Sequence, residues 1–354
     1  MILILLQVYY NRIMTFNLLE KSILATIGYY NVLDYPLTGF EVFRYLISPL
    51  HIIAQSEIGQ KSEIEPISKI SFLDILVTLK NPVLSNFIEE YNGFYFLKNR
   101  KKIVKIRIER QKISDQKWKK AIKIIKWLQI IPYLKMIAVS GSLALDNAKE
   151  QSDIDLLIVA KHKRIWTVRF LIIFFLHFFG KRRHGKKTRN RACLNHYITD
   201  NSLEIKFPSL YNAQTYAHMV VILETEPGIF EKFYRANKWI SSFINTYPFG
   251  KNENQKTIRA NKILRSIART KEILLNNFIG DFFEFLFGAI QKFLIKYHSK
   301  KDKGEGRVVI EESQLEFHPA SPEAEVLEKY NNIMIELGLR ARPEKDSGLQ
   351  MTKN

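Results

Sequence analysis

Residues 136–159 read Met136-Ile-Ala-Val-Ser-Gly-Ser-Leu-Ala-Leu-Asp-Asn-Ala-Lys-Glu-Gln-Ser-Asp153-Ile-Asp155-Leu-Leu-Ile-Val159. An apolar strand pattern leads into a Gly141-Ser142 turn. After ten residues Asp153 and Asp155 open a second apolar run. Two residues apart in an extended segment, both carboxylates point to one face. Ile154, Leu156 and Ile158 are the apolar alternates expected of a strand covered on its faces. Adjacent carboxylates repel, and a divalent cation removes that cost. Magnesium suits the pair because it takes hard oxygen ligands and completes its shell with water and phosphate. Glycine lets backbone approach a phosphate, and a helix start after it offers free N–H groups.

Outward from this stretch, the central region reads as strand 135–140, short helix 142–148, strand 153–160, helix 163–179, basic loop 181–191, strand 192–199 and strand 203–207. The loop carries seven Lys/Arg and one His, suited to a triphosphate or an RNA backbone. Helix 163–179 includes the most apolar window, 165–179. At 15 residues, with Arg169 and His177 inside it, the window falls short of a bilayer span and reads as a core helix.

The pattern of apolar strand, Gly-Ser, ten residues, Asp-x-Asp and apolar strand resembles the polymerase-beta-like nucleotidyltransferase superfamily. The resemblance implies that Gly141 and Ser142 form the phosphate turn and that Asp153 and Asp155 hold the metal, Mg2+ or Mn2+. It implies transfer of a nucleoside monophosphate from a nucleoside triphosphate to a hydroxyl. Members with full activity usually carry a third acid, flanked by apolar residues, on a later strand. The expected strand here has Asn195 and His196 at its centre, with Asp200 and Glu204 nearby. Glu204, between Leu203 and Ile205, is the third-carboxylate candidate. Without a third acid, the chain would bind nucleotide or nucleic acid and transfer poorly.

Before the core, helix 18–32, a second helix 39–46 capped by Thr38 and Glu41, a third over 68–79 and a hairpin about Asn92-Gly93 give a winged-helix order. The third helix offers Lys69 and Asp74 among apolar neighbours, a poor reader of DNA. Residues 98–126 hold 13 Lys/Arg with recurrent isoleucines, the pattern of a basic amphipathic helix. After residue 208 the pattern is helical, about 209–224, 229–246, 255–275 and 280–298. A polar hinge at 299–306 leads into an acidic tail with a helical stretch near 323–337.

The expected fold is therefore α+β. A nucleotidyltransferase domain of mixed sheet and flanking helices lies between an N-terminal winged-helix-like domain and a C-terminal helical region. The expected boundaries are 1–13 as an upstream extension with Met14 as the start, 14–97, a basic linker helix 98–131, the core 132–207, helices 208–298, and hinge and tail 299–354.

With 354 residues, 46% of them hydrophobic, the chain has material for two or three cored domains, which excludes global disorder. A net charge of +19 points to polyanionic partners, RNA more than DNA. Cys193 is the only cysteine, so no intrachain disulfide forms, in keeping with a cytoplasmic protein. No transmembrane segment is expected.

Overall fold

The computed structural model describes residues 16–56, 70–183, 187–247, 256–299, 307–318 and 321–340. The chain divides into two compact units. One comprises Met1–Ile103 with Glu325–Asn354, and the other Val104–Ala324.

The first unit opens with α1 (Leu18–Val32), capped by Asn17 and Glu20 in a reciprocal box. A two-residue strand β1 (Leu37–Thr38) leads into α2 (Gly39–Arg44), whose Thr38 and Glu41 form the expected capping box. There follow α3 (Pro49–Ser56) and α4 (Phe72–Leu79). Strands β2 (Ile88–Tyr91) and β3 (Phe94–Leu97) form a hairpin about Asn92-Gly93, both with positive φ, and β1 pairs with β3. Ile23, Leu24, Ile27, Leu37, Val42 and Phe96 are buried in this unit.

The second unit begins with the long basic helix α5 (Lys102–Leu128). Then come β4 (Leu134–Val139), the one-turn helix α6 (Gly141–Ala144), β5 (Ile154–Ala160), α7 (Ile165–Phe178) and β6 (Ala192–Thr199). The chain continues through α8 (Leu210–Ala217), β7 (Val220–Glu224), α9 (Ile229–Ala236), α10 (Lys262–Leu274), α11 (Phe278–Ser299), β8 (Arg307–Ile310) and β9 (Gln314–His318). The last helix, α12 (Glu323–Glu336), returns to the first unit, where Tyr330 stacks edge-on against Tyr29.

Six strands form one mixed sheet in the order β7-β4-β5-β6-β9-β8, with β5 and β6 parallel and the other neighbours antiparallel. Alternation sorts β5. Ile154, Leu156 and Ile158 join a core with Trp118, Ile125 and Leu128 of α5 and Val168, Ile172 and Leu176 of α7. Leu157 and Val159 face the other way, into a second core with Ala213 and Tyr216 of α8 and Phe233 of α9.

Three expectations fail, each for a physical reason. The segment 209–224 is α8 followed by β7, because β-branched Val220, Val221 and Ile222 pair along the free edge of β4. The segment 203–207 alternates inward and outward like a strand but has no strand partner. Asn237 takes that place, its Oδ1 accepting from Ile205 N at 2.8 Å and its Nδ2 donating to Leu203 O at 2.9 Å. The tail is not a separate appendage, since β8 and β9 extend the central sheet beyond β6. The proposed extension 1–13, Lys69 and most of the hinge 299–306 lie outside the described residues.

Candidate active site

Asp153 ends the loop before β5, and Asp155 is the second residue of the strand. Both fall on the face of Leu157 and Val159, as a period of two requires. Gly141 follows the end of β4, and Ser140 N donates to Asp155 O at 3.1 Å, tying the turn to β5. Gly141 has φ +65°, and a β-carbon there would stand 2.6 Å from Asp155 Oδ2. Only glycine lets the turn approach the carboxylate this closely. Ser142 lies in the one-turn helix after it, half-buried.

The Asp155 carboxyl is pushed up to about 7, chiefly by removal from water and then by the Asp153 charge. Arg183, Cys193 and Asn195 oppose that shift. A half-buried pair of carboxylates with Asp155 in this state fits a divalent cation, which would restore the charged form.

The strand register supplies what the sequence reading missed. Asp155 pairs with Cys193 across the parallel β5–β6 ladder, and β6 then bulges between residues 193 and 196. Asp153, Asp155 and Cys193 bring their ligand atoms within 4.8 Å of one another. The bulge also brings the Asn195 side chain to hydrogen-bond Asp155. Cys193 thus holds the place where a third acid was sought. Its flanks, Ala192 and Leu194, have the apolar pattern expected there, which is the local signal that marks the position although the residue is not acidic. Burial, reinforced by both aspartates, pushes the Cys193 thiol far up, so without a cation it is a neutral thiol.

Glu204 is exposed on the loop after β6 and stands outside this cluster. Asp200 follows the far end of β6. Its N–H donates to Ala160 O and its carboxylate accepts from His162 N, about 16 Å along the strand from Asp155. Buried His196 is held between the Tyr216 hydroxyl and Gln314.

The basic loop contributes Arg183, whose Nη1 donates to Asp153 Oδ2 at 2.5 Å and to Cys193 Sγ at 3.4 Å. Lys181, Arg189 and Arg191 instead line a groove of about 850 Å³ with Lys120, Trp127 and Phe179. That groove lies among α5 and α7 residues, on the sheet face opposite the carboxylates. Tyr211 of α8 lies on the carboxylate side, close enough for the Asp155 charge, after burial, to help raise its phenol to about 12.

Lys117 fixes the loop that presents Asp153. From the basic face of α5 its buried ammonium donates to Glu150 O at 2.9 Å, Ser152 O at 2.7 Å and Asn190 Oδ1 at 3.2 Å. Composition alone counted it among thirteen similar cations.

A carboxylate pair faced by a glycine turn offers the groups that metal-assisted phosphoryl transfer uses. Residues 118–196, from the middle of α5 into β6, match the family of the nucleotidyltransferase domain, consistent with the polymerase-beta-like nucleotidyltransferase superfamily. No curated protein and no solved structure matches the chain.

Proposed function

We propose that the chain transfers a nucleoside monophosphate from a nucleoside triphosphate to a hydroxyl of an acceptor. The observation that carries the reading is the juxtaposition of Gly141 with Asp155 beside Asp153, within the matched nucleotidyltransferase domain. Asp153 and Asp155 would hold Mg2+ or Mn2+. A divalent ion held there would supply Lewis acidity, offsetting phosphate charge and making the attacking hydroxyl more acidic.

The chain's own groups do the rest. Gly141 keeps the phosphate turn against the metal face, and Ser142 places a hydroxyl beside it. Asn195 orients Asp155 by donating to it. Arg183 has a side chain nearly half exposed, so it can leave Asp153 for the phosphates when metal enters. Asp153→Asn and Asp155→Asn should each abolish magnesium-dependent labelling of an acceptor from radioactive triphosphate. Labelling by the wild type that survives EDTA would sink the mechanism.

A second reading is nucleotide or nucleic-acid binding without efficient transfer. Cys193 in place of a third carboxylate and Arg183 on Asp153 favour it. The basic and aromatic groove would then hold a single strand, with Trp127 and Phe179 as stacking platforms. Filter binding of RNA with a steep salt dependence, and no transfer from any triphosphate, separates it from the first reading.

The helices and three-stranded sheet of the first unit support a winged-helix-like domain. Asp74 is engaged in the Ser71 cap of α4, and Leu73 and Val77 are exposed on that helix. An apolar face fits a protein partner better than base edges. The lone buried thiol fits a reducing, cytoplasmic setting.

A further inference from the structure

We propose that the outer face of α7, α10 and α11 docks on an anionic lipid surface. Helix α11 is apolar nearly all round, yet it covers the core with one side only. Its inner side is fixed: Phe287 stacks on Phe170 of α7 at 4.0 Å, and Gly288 admits the Trp166 ring. Its outer side exposes Phe278 (80%), Phe285 (75%) and Phe293 (70%), and α7 adds Phe174 (63%) and Phe178 (75%). Ring contacts link the two helices, from exposed Phe174 through Phe170, Phe287 and Phe283 to exposed Phe282. Scattered apolar residues on a surface are ordinary, whereas a contiguous aromatic face implies an occupant.

Charge identifies that occupant. Helices α10 and α11 hold three acids, and each is engaged by a residue of its own unit. Glu272 accepts from Tyr133 N at 2.7 Å. Asp281 pairs with Arg164 at 2.7 Å. Glu284 accepts from the N–H groups of Trp166 and Thr167 and from the Thr167 hydroxyl, at 2.9, 2.8 and 2.6 Å. Among the described residues of the two helices the exposed charges are five cations, Lys262, Arg269, Lys271, Lys292 and Lys296, against one acid, Asp281, which is held in its ion pair with Arg164. Phenylalanine with a clear excess of exposed Lys/Arg over acid is the composition of a helix that lies in a membrane interface. A second copy would bring the same cations against these, in a chain of net charge +19. An anionic bilayer matches both features, offering acyl depth for the rings and headgroup charge for the lysines. No single helix among the described residues is long and apolar enough to cross a bilayer, and α10 and α11, which reach that length and composition only together, meet at a bend of 99°.

The test is co-sedimentation of the full chain with phosphatidylcholine vesicles, with and without roughly one-third phosphatidylglycerol. The expected result is binding to the anionic vesicles only, weakened by salt. Phe285→Asp with Phe293→Asp should lower it by roughly a hundredfold. Lys292→Glu with Lys296→Glu should lower it by roughly tenfold or more without touching an aromatic ring. Both variants should keep the wild-type melting temperature and nucleotide transfer. Binding that ignores lipid charge, or no binding at all, overturns the proposal. So does a wild-type dimer that the phenylalanine variant renders monomeric, which would assign the face to a second copy.

Discussion

Gly141 packs so closely on Asp155 that a β-carbon on the glycine would stand 2.6 Å from the carboxylate Oδ2. The left-handed φ of +65° adds its own penalty for any side chain. Gly141→Ala should therefore displace the Asp155 carboxyl or the turn. The backbone strain is about 1–2 kcal/mol, small against a domain's stability, so the fold survives. Transfer should fall roughly a hundredfold, because a misplacement of about 1 Å at the reacting centre costs that much. Circular dichroism on the variant, beside labelling from radioactive triphosphate, checks both halves. A variant with wild-type transfer would show that the close approach has no catalytic role.

Asp155 makes a pH prediction with a definite sign. Its folded-state value is raised to about 7 from an ordinary 3.8, so the folded chain holds the proton more tightly than the unfolded chain does. The stability this confers is complete below pH 4 and is lost as pH rises through 7. In EDTA, Asp155→Asn removes the dependence. The variant should melt higher than the wild type at pH 8, by on the order of 2–4 kcal/mol, with the gap closing towards pH 4. Magnesium should then raise the wild-type melting point and leave the variant unmoved. Differential scanning fluorimetry across pH, with EDTA and with magnesium, reads both effects.

What was legible in the sequence follows from how local each signal is. The cap at Thr38, the Asn92-Gly93 turn and the apolar alternation of β5 are set by residues within four positions of one another. They are found where local chemistry puts them. Asp153 and Asp155 were legible for the same reason. Cys193 was not, because its place opposite Asp155 is a property of strand register across 37 intervening positions. Strand β7 was hidden because Val220–Glu224 becomes a strand only where β4 offers an edge. Residues 203–207 show the converse, since their alternation is real and Asn237 satisfies their backbone in place of a strand.

The register of Cys193 gives a gain-of-function test. Cys193→Asp places a third carboxylate beside two that already repel, so without metal the variant should melt below the wild type. Magnesium should stabilise it more than it stabilises the wild type, and transfer should rise by roughly tenfold as the site holds its cation better. If transfer does not rise, the limit lies elsewhere, and release of Asp153 by Arg183 is the next step to test. The thiol itself is pushed far up by burial and the two aspartates. Iodoacetamide at pH 8 should leave the native protein unmodified and label it in urea, a clean readout because Cys193 is the only cysteine.

Lys117 connects the basic helix to the chemistry. Its ammonium is buried and its pKa is lowered, by burial first and then by Lys120 and Arg189, yet three acceptors from residues 150–190 hold it in place. Lys117→Met keeps the length of the side chain and removes the donors, leaving two carbonyls and an amide oxygen without it. Hydrogen bonds from a charged donor contribute about 1.5–3 kcal/mol each before relaxation, and water reaching the loop offsets part of that, so the net loss should be about 3 kcal/mol. The functional effect should exceed the loss of folded protein, because the loop carries Asp153. With the fraction folded held constant, the magnesium concentration for half-maximal transfer should rise roughly tenfold, as metal-ligand positioning effects do. Lys117→Arg should recover part of it. A variant that loses stability with unchanged magnesium dependence would make Lys117 a fold residue alone.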